Sequence, residues 1–280
     1  MRQRADVQHC KMSIVACIFQ LSAGARHENL PMRLSVVVIT KNEASNMAAC
    51  LDSVRFADEV IVLDNASSDA TPTIATQLGA QVRSTDDWPG FGPQKNRAIA
   101  LARGDWILSL DADERVTPAL QAEIEAAIQG DPSAVFSVPR LSSYCGQTIR
   151  HSGWYPDHVT RLFRRGSARF SDDVVHERLL TAEPVRVLNS PLLHDSFRDF
   201  SAVLDKLDRY STASASALYK KGRRATLGTA LLHGAWAFVR TYVLRAGFLD
   251  GQMGLALAIS NAQGSYYRYA KLWWLGRQPP

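Results

Sequence analysis

Three short aliphatic runs, each followed by a polar cluster, constrain this chain more than any other feature. They are residues 34–39 (LSVVVI), 59–63 (EVIVL) and 106–110 (WILSL). Continuous apolar runs of this length, rich in β-branched residues, predict strands buried on both faces. Residues 81–83 and 134–138 read as two further strands. Helical stretches lie between them. Met47, Cys50, Leu51 and Val54 share a helical face. Thr71-Pro72 opens a helix that stops at Gly79, residues 94–103 form another that stops at Gly104, and Thr117-Pro118 opens a fourth that ends at Gly130. Strands alternating with helices predict an α/β fold, a mainly parallel, Rossmann-like sheet flanked by helices. Ligands in such sheets bind at the carboxyl ends of the strands. The three polar clusters, residues 40–43, 64–69 and 111–114, all fall there.

Beyond residue 140 the alternation stops. Pieces at 159–163, 174–175 and 185–188 read as short strands of an irregular antiparallel extension over the site. From Phe200 the spacing turns helical, with Phe200, Val203, Leu204, Leu207 and Tyr210 on one face, and continues so through 225–244 and 254–272. Charge divides at the same place. Residues 196–280 carry 12 basic and 4 acidic side chains, whereas the rest carries 20 and 23. A basic helical tail on a slightly acidic body suits an anionic membrane surface or a phosphorylated partner. No aromatic-basic recognition motif supports nucleic acid.

The expected organisation is an N-terminal extension over 1–31, a catalytic domain over 32–195 and the tail over 196–280. Arg2, Arg4 and Lys11 precede an apolar stretch, 12–21, and Ala23-Gly24-Ala25 has the look of a cleavage site. We read the segment instead as an extension ahead of Met32, and sequencing the mature N-terminus decides between the two. Cys10, Cys17, Cys50 and Cys145 form no C-x-x-C pair, which suits reduced thiols in a cytosol.

Asp111-Ala112-Asp113 carries the chemistry. Two carboxylates two residues apart at a strand end can share a divalent cation with a diphosphate, and hard oxygen ligands suit Mg²⁺ or Mn²⁺. His194 is a candidate third ligand, against the commoner structural role of a histidine. Asp64, ending the second strand, is placed to meet a base or ribose, with Asp69 as the helix cap. Lys95, near a helix start after a glycine loop, suits a phosphate, with Arg97 as its rival. Glu177 and Asp157 are candidate general bases, and either could instead pair with Arg161, Arg164 or Arg178. The sequence HERLL has no second histidine at Leu180, so a zinc peptidase motif fails. The chain also lacks a dinucleotide fingerprint, a P-loop and a hydrolase elbow. Asn65-Ala66-Ser67 matches a glycosylation acceptor, which has no meaning in a cytosol.

Four stretches together, LSVVVITKNEASNMAACLDSV, EVIVLDNASSDATPTIA, GFGPQKNRAIALARGDWILSLDADERVTPAL and RLFRRGSARFSDDVVHERL, resemble family 2 glycosyltransferases. They are most similar to the lipopolysaccharide core β-1,4-glucosyltransferase branch, as are FVRTYVLRAGFLDGQMG and YRYAKL near the end. The resemblance implies a GT-A fold, a nucleotide-diphosphate-sugar donor and a divalent cation. By position, Thr40, Asn42, Glu43 and Asp64 would line the nucleoside pocket, Lys95 would lie near the diphosphate, and Asp111 and Asp113 would be the D-x-D pair. The second-strand turn departs from the family's usual D-D-G-S, reading Asp64-Asn65-Ala66-Ser67. The implied enzyme is an inverting hexosyltransferase, moving glucose from UDP-glucose to a lipid-anchored oligosaccharide at the inner face of the cell membrane. A polyprenyl-phosphate sugar transferase, a nucleotidyltransferase and a non-catalytic nucleotide-sugar-binding protein are the rival readings.

Overall fold

Strand β1 (Leu34–Thr40) is buried along its whole length, as its unbroken apolar run requires. The computed structural model of the chain describes residues 34–131, 133–172 and 177–277. The N-terminal extension, the 174–175 strand and His176 lie outside the described residues. β1 pairs in parallel with β2 (Glu59–Asp64) on one side and β4 (Trp106–Asp111) on the other, and β3 (Gln81–Ser84) continues the sheet beyond β2. Thr40 lies opposite Asp64, and Ile39 opposite Asp111. The register therefore brings the ends of three strands side by side.

Helices cover both faces of these strands. On one face α1 (Ala44–Asp52), α2 (Thr71–Gln77) and α4 (Pro118–Ala127) pack Met47, Cys50, Ala75, Leu120 and Ile124 against Val36, Val38, Val62 and Leu108. On the other, α3 (Phe91–Leu101) packs Ala98 against Val37, Ile61 and Ile107. Each fully buried Val, Leu or Ile contributes roughly 1.5–3 kcal/mol over an exposed one. The expected start of α3 at residue 94 moves back to Phe91. Pro93 falls within its first turn, where a missing N–H costs nothing.

The stretch beyond residue 140 is not a separate covering layer. β8 (Asp157–Arg164) inserts antiparallel between β4 and β6 (Val135–Tyr144), and β12 (Leu192–Phe197) adds parallel to β6. The sheet then ends on a strand that was not expected, β5 (Glu114–Val116), which pairs antiparallel with β12 and sets His194 opposite Glu114. Short β7 (Gln147–Thr148) and β11 (Val185–Val187) flank β6. β9 (Ala168–Phe170) and β10 (Leu179–Thr181) form a separate two-stranded ribbon. Hydrophobic pattern marks a strand but not its neighbour, which is why β8 and β12 read as peripheral. The 195/196 boundary drawn from the sequence falls inside β12.

The tail is helical as expected. It comprises α5 (Phe200–Lys220), α6 (Leu227–Val239) and α7 (Gly251–Leu275), with a π-turn at Arg240–Leu244 and a 3₁₀ turn at Gly247–Asp250. Asp199 caps α5 through Ala202 N–H (2.8 Å), and Thr226 with Thr229 forms a capping box on α6. The face of α5 that is buried differs from the expected one. Val203, Ser211 and Ala215 are buried with Leu207 half-buried, while Phe200, Leu204 and Tyr210 stand exposed. Small residues at i, i+4 spacing let α5 and α7 approach closely. Among the described residues, no helix is long and apolar enough to cross a membrane.

Candidate active site

A cleft of about 850 Å³ opens at the carboxyl ends of β1, β2 and β4. Of the residues singled out in the sequence, Thr40, Asn42, Glu43, Asp111, Asp113, Glu177 and His194 line it. Lys95 lies buried among them, whereas Asp64 and Asp157 do not reach the lining.

At its floor is a set of buried charges. Lys95 Nζ lies 2.9 Å from Asp111 Oδ1 and 2.9 Å from Glu177 Oε1, with the Phe170 ring 5.1 Å away. Arg161 Nη2 lies 2.6 Å from Asp111 Oδ2 and also bonds Glu114 Oε1. Glu114 Oε2 accepts the Asp111 N–H (3.0 Å). Burial works against the Asp111 carboxylate, but Arg161 and Lys95 outweigh it and hold the carboxyl well below the usual range. The same two carboxylates outweigh burial on Arg161 and raise it.

Asp113 points elsewhere. Its Oδ2 lies 3.3 Å from His194 Nε2, and His194 Nδ1 faces Ser142 Oγ at 2.9 Å. The pairing of β5 with β12 brings these residues together. The expected trio of metal ligands is thus split. Asp113 and His194 line the cleft paired with each other, while both Asp111 oxygens are held by cations. Among the described residues, no group of three His, Cys, Asp or Glu is arranged to hold a metal. Lys95 pairs with Asp111 and Glu177 and Arg161 with Asp111 and Glu114, whereas Asp113 meets the imidazole of His194. Asp113 and His194 fit a divalent cation as a partial site that needs ligand oxygens to complete it.

The β1 and β2 ends are organised by short-range hydrogen bonds. Asn42 has φ +56°, a left-handed conformation that asparagine tolerates. Its Oδ1 accepts the Ser68 N–H (2.8 Å), and its own N–H donates to Ser67 Oγ (2.8 Å). Asp64 is 2% exposed and its two oxygens accept the N–H and the Oγ–H of Ser67, so it sits behind the cleft lining. Asn65 lines the cleft in its place. Asp69 accepts from Ala44 N–H (3.1 Å) and Thr71 N–H (3.0 Å), joining the starts of α1 and α2. Burial pushes the Glu43 carboxyl up, opposed by the hydrogen bond from Asn46. Thr40 Oγ1 is buried with no hydrogen-bond partner among the described residues.

The remaining candidates separate cleanly. Asp157 is held by Arg140 (2.6 Å) at the start of β8. Arg97, the rival to Lys95, is paired with Asp87 at the surface. Glu177 lies against the start of α3, where a Cβ on Gly92 would come 3.4 Å from the Glu177 Cβ. Asn96 of α3 bonds the Phe170 backbone twice, and the same added Cβ on Gly92 would come within 1.8 Å of Ser171 O.

Several lining residues escaped the sequence reading. Trp88 and Phe91 form an edge-on aromatic pair with centroids 4.9 Å apart, both about half exposed. Lys206, Arg209 and Tyr210 of α5 make a basic rim opposite the carboxylates. Arg161, expected only as a partner for Glu177 or Asp157, pairs beneath the cleft with Asp111 and Glu114 instead. The α5 contribution had no signal in the sequence, because its spacing says only that a helix forms.

Comparison with known proteins adds the family. Residues 35–187 match Glycosyl transferase family 2. An uncharacterised glycosyltransferase of Rickettsia prowazekii is 30% identical over 253 residues, covering 86% of both chains. The lipopolysaccharide core biosynthesis glycosyltransferase LpsC of Rhizobium meliloti is 26% identical over 256 residues, covering 85% of this chain and 93% of its own. Among solved structures, TarS 1–349 of S. aureus is similar with a TM-score of 0.45 and 16% identity, over 89% of this chain and 93% of that one.

Proposed function

The chain belongs to glycosyltransferase family 2, and from that premise we propose that it moves a hexose from a nucleoside diphosphate donor to a lipopolysaccharide inner core or a related glycolipid. The donor we propose is UDP-glucose. The observation that carries the reading is the cleft, which sets an aromatic and amide wall, the Asp111–Asp113 pair and the Glu43 and Glu177 carboxylates around a single space at the strand ends. The similarity to LpsC supports the acceptor class.

The reaction we assign is an inverting, in-line displacement. The acceptor hydroxyl attacks the anomeric carbon as the bond to the diphosphate breaks, and a carboxylate takes the hydroxyl proton. Glu177 is the assigned base, since it lines the cleft while Asp157 is held outside it by Arg140. Lys95 supplies positive charge between Asp111 and Glu177, on the side where the departing diphosphate gains negative charge. Asp113 and His194 would hold Mg²⁺ or Mn²⁺, which when bound neutralises charge on the leaving diphosphate. Trp88 and Phe91 give a nucleobase an aromatic surface to pack on.

We assign the tail to the cytoplasmic face of the cell membrane. Leu231 (62% exposed), Leu232 (74%) and Trp236 (56%) stand out on α6, close in sequence to Lys220, Lys221, Arg223 and Arg224. Apolar and aromatic residues beside a basic cluster suit an anionic leaflet. A donor screen against glycolipid from a core-truncated strain, read by mass spectrometry, tests the whole reading. A hexose mass gain from a nucleoside diphosphate sugar supports it. No transfer from any donor, with or without Mn²⁺, refutes it.

A further inference from the structure

A second cavity, of about 340 Å³, lies where the loop around Ser152 meets α5 and α7. Four of its lining residues are cationic (Lys206, Arg240, Arg245 and Arg268) and none is acidic. Among the described residues no carboxylate pairs with any of the four. Elsewhere the cations on the tail that meet acids do pair, as Lys271 does with Asp208 at 2.7 Å. A concentration of like charge around a concave space costs self-repulsion, and an anion entering it relieves that cost.

The walls favour a saccharide around that charge. Trp154 and Phe197 stack at 27° with centroids 6.2 Å apart, and Lys206 Nζ sits 4.6 Å over the Phe197 ring. Ser211, Ser260, Ser265 and Asn261 also line the space, Ser211 Oγ being held by Lys271 and Ser260 Oγ by Tyr144. Aromatic side chains beside small polar ones suit the apolar face and the polar rim of a sugar ring. The volume falls in the ~300–1,000 Å³ range of small-ligand sites. The floor is rigid, because Asp250 accepts Arg150 N–H (3.0 Å), His151 N–H (3.1 Å) and Ser152 Oγ–H (2.9 Å) across about a hundred residues of sequence. The cavity also adjoins the catalytic cleft, since Lys206 and Tyr210 line both.

We propose that this cavity is an acceptor subsite that holds an anionic group, phosphate or carboxylate, borne on a sugar next to the one that receives the hexose. The inference rests on the transferase reading above and adds a requirement to it: the acceptor is charged, and the enzyme reads that charge beside the reaction centre. Lys206, at the junction, is where the two spaces meet.

The test is a binding measurement that needs no turnover. Glucose 6-phosphate and glucose are titrated by calorimetry into the full chain saturated with UDP, so that the donor diphosphate site is already filled. Binding of glucose 6-phosphate at least ~10-fold tighter than glucose is expected, as charge-assisted contacts to arginine predict. Arg240→Gln with Arg268→Gln should remove that preference while leaving UDP affinity and the melting temperature in place, since both arginines are exposed and neither pairs with a carboxylate among the described residues. Phosphatidylglycerol vesicles form the second arm, and their binding should be the same in both proteins. Equal binding of the two sugars by wild type, a variant with wild-type preference, or a loss confined to vesicles overturns the proposal. Failure of UDP to bind counts against the transferase reading instead, and the sugar titrations still judge the subsite. If the double variant does not fold, Arg268→Gln alone is read the same way.

Discussion

Replacing Arg161 by methionine tests whether the buried charge set under the cleft holds the fold together as its geometry implies. The Arg161 side chain is 5% exposed and its Nη2 is shared between Asp111 and Glu114. Removing one member of a buried ion pair costs about 3–5 kcal/mol, because the charge left behind stays desolvated. Two neighbours soften the loss. Asp111 keeps Lys95 at 2.9 Å, and Arg140 stands 3.5 Å from Glu114 Oε1. We therefore expect the lower end, about 3 kcal/mol, which for a domain of this size lowers the melting temperature by roughly 6–12 °C. The pH dependence has a definite sign. The folded Asp111 carboxyl is held low by Arg161 and Lys95 despite burial, so its stabilising contribution is present above the ordinary carboxylate pKa and is lost as pH falls toward the folded value. Without Arg161 that contribution shrinks. The gap between wild type and variant, followed by circular dichroism melts, should be full at pH 7 and narrow below about pH 4. Adding Glu114→Gln to the variant should recover part of the loss. A gap below about 3 °C at pH 7, on the same conversion, or one that widens in acid, refutes the reasoning.

Asp113→Asn should lower sugar transfer at least ~100-fold, the scale of losing a main electrostatic stabiliser, and near-normal turnover without divalent cation would end the metal assignment. Glu177→Gln should lower turnover while donor affinity, measured by calorimetry, stays nearly unchanged; if Asp157→Asn behaves that way instead, the base assignment is reversed. Changing Lys220, Lys221, Arg223 and Arg224 to serine should release the protein from anionic vesicles in low salt, since each basic residue near such a surface is worth about 1 kcal/mol. Vesicle binding that survives the change leaves those bases as solvated charges. Cys50 is fully buried and burial pushes its thiol up to about 12, so maleimide at pH 8 should leave it unlabelled until the chain unfolds, as peptide mass mapping would show.

Local sequence determined the parts of this protein whose physics is local. LSVVVI, EVIVL and WILSL can satisfy their backbone and bury their side chains only as covered strands, and the helices between them carry their own stop signals. Parallel pairing then leaves the residues after each strand at one edge, which is why the pattern alone puts Thr40, Asp111 and Asp113 at the cleft. Pairing between distant segments is a different matter. Nothing in DHVTRLFR says that it enters the sheet between β4 and β6, yet that insertion puts Arg161 onto Asp111 and turns a presumed metal ligand into a member of an ion-paired set. The β5–β12 pairing likewise brings His194 to Asp113, and the turn at Ser67 closes over Asp64. Docking of α5 supplied the basic rim and the second cavity. Each of these depends on which side chains compete for one partner within about 3 Å, the reach of a hydrogen bond. Spacing along a chain carries no such distance, so only the tertiary structure could decide which carboxylates face the cleft and which are already taken.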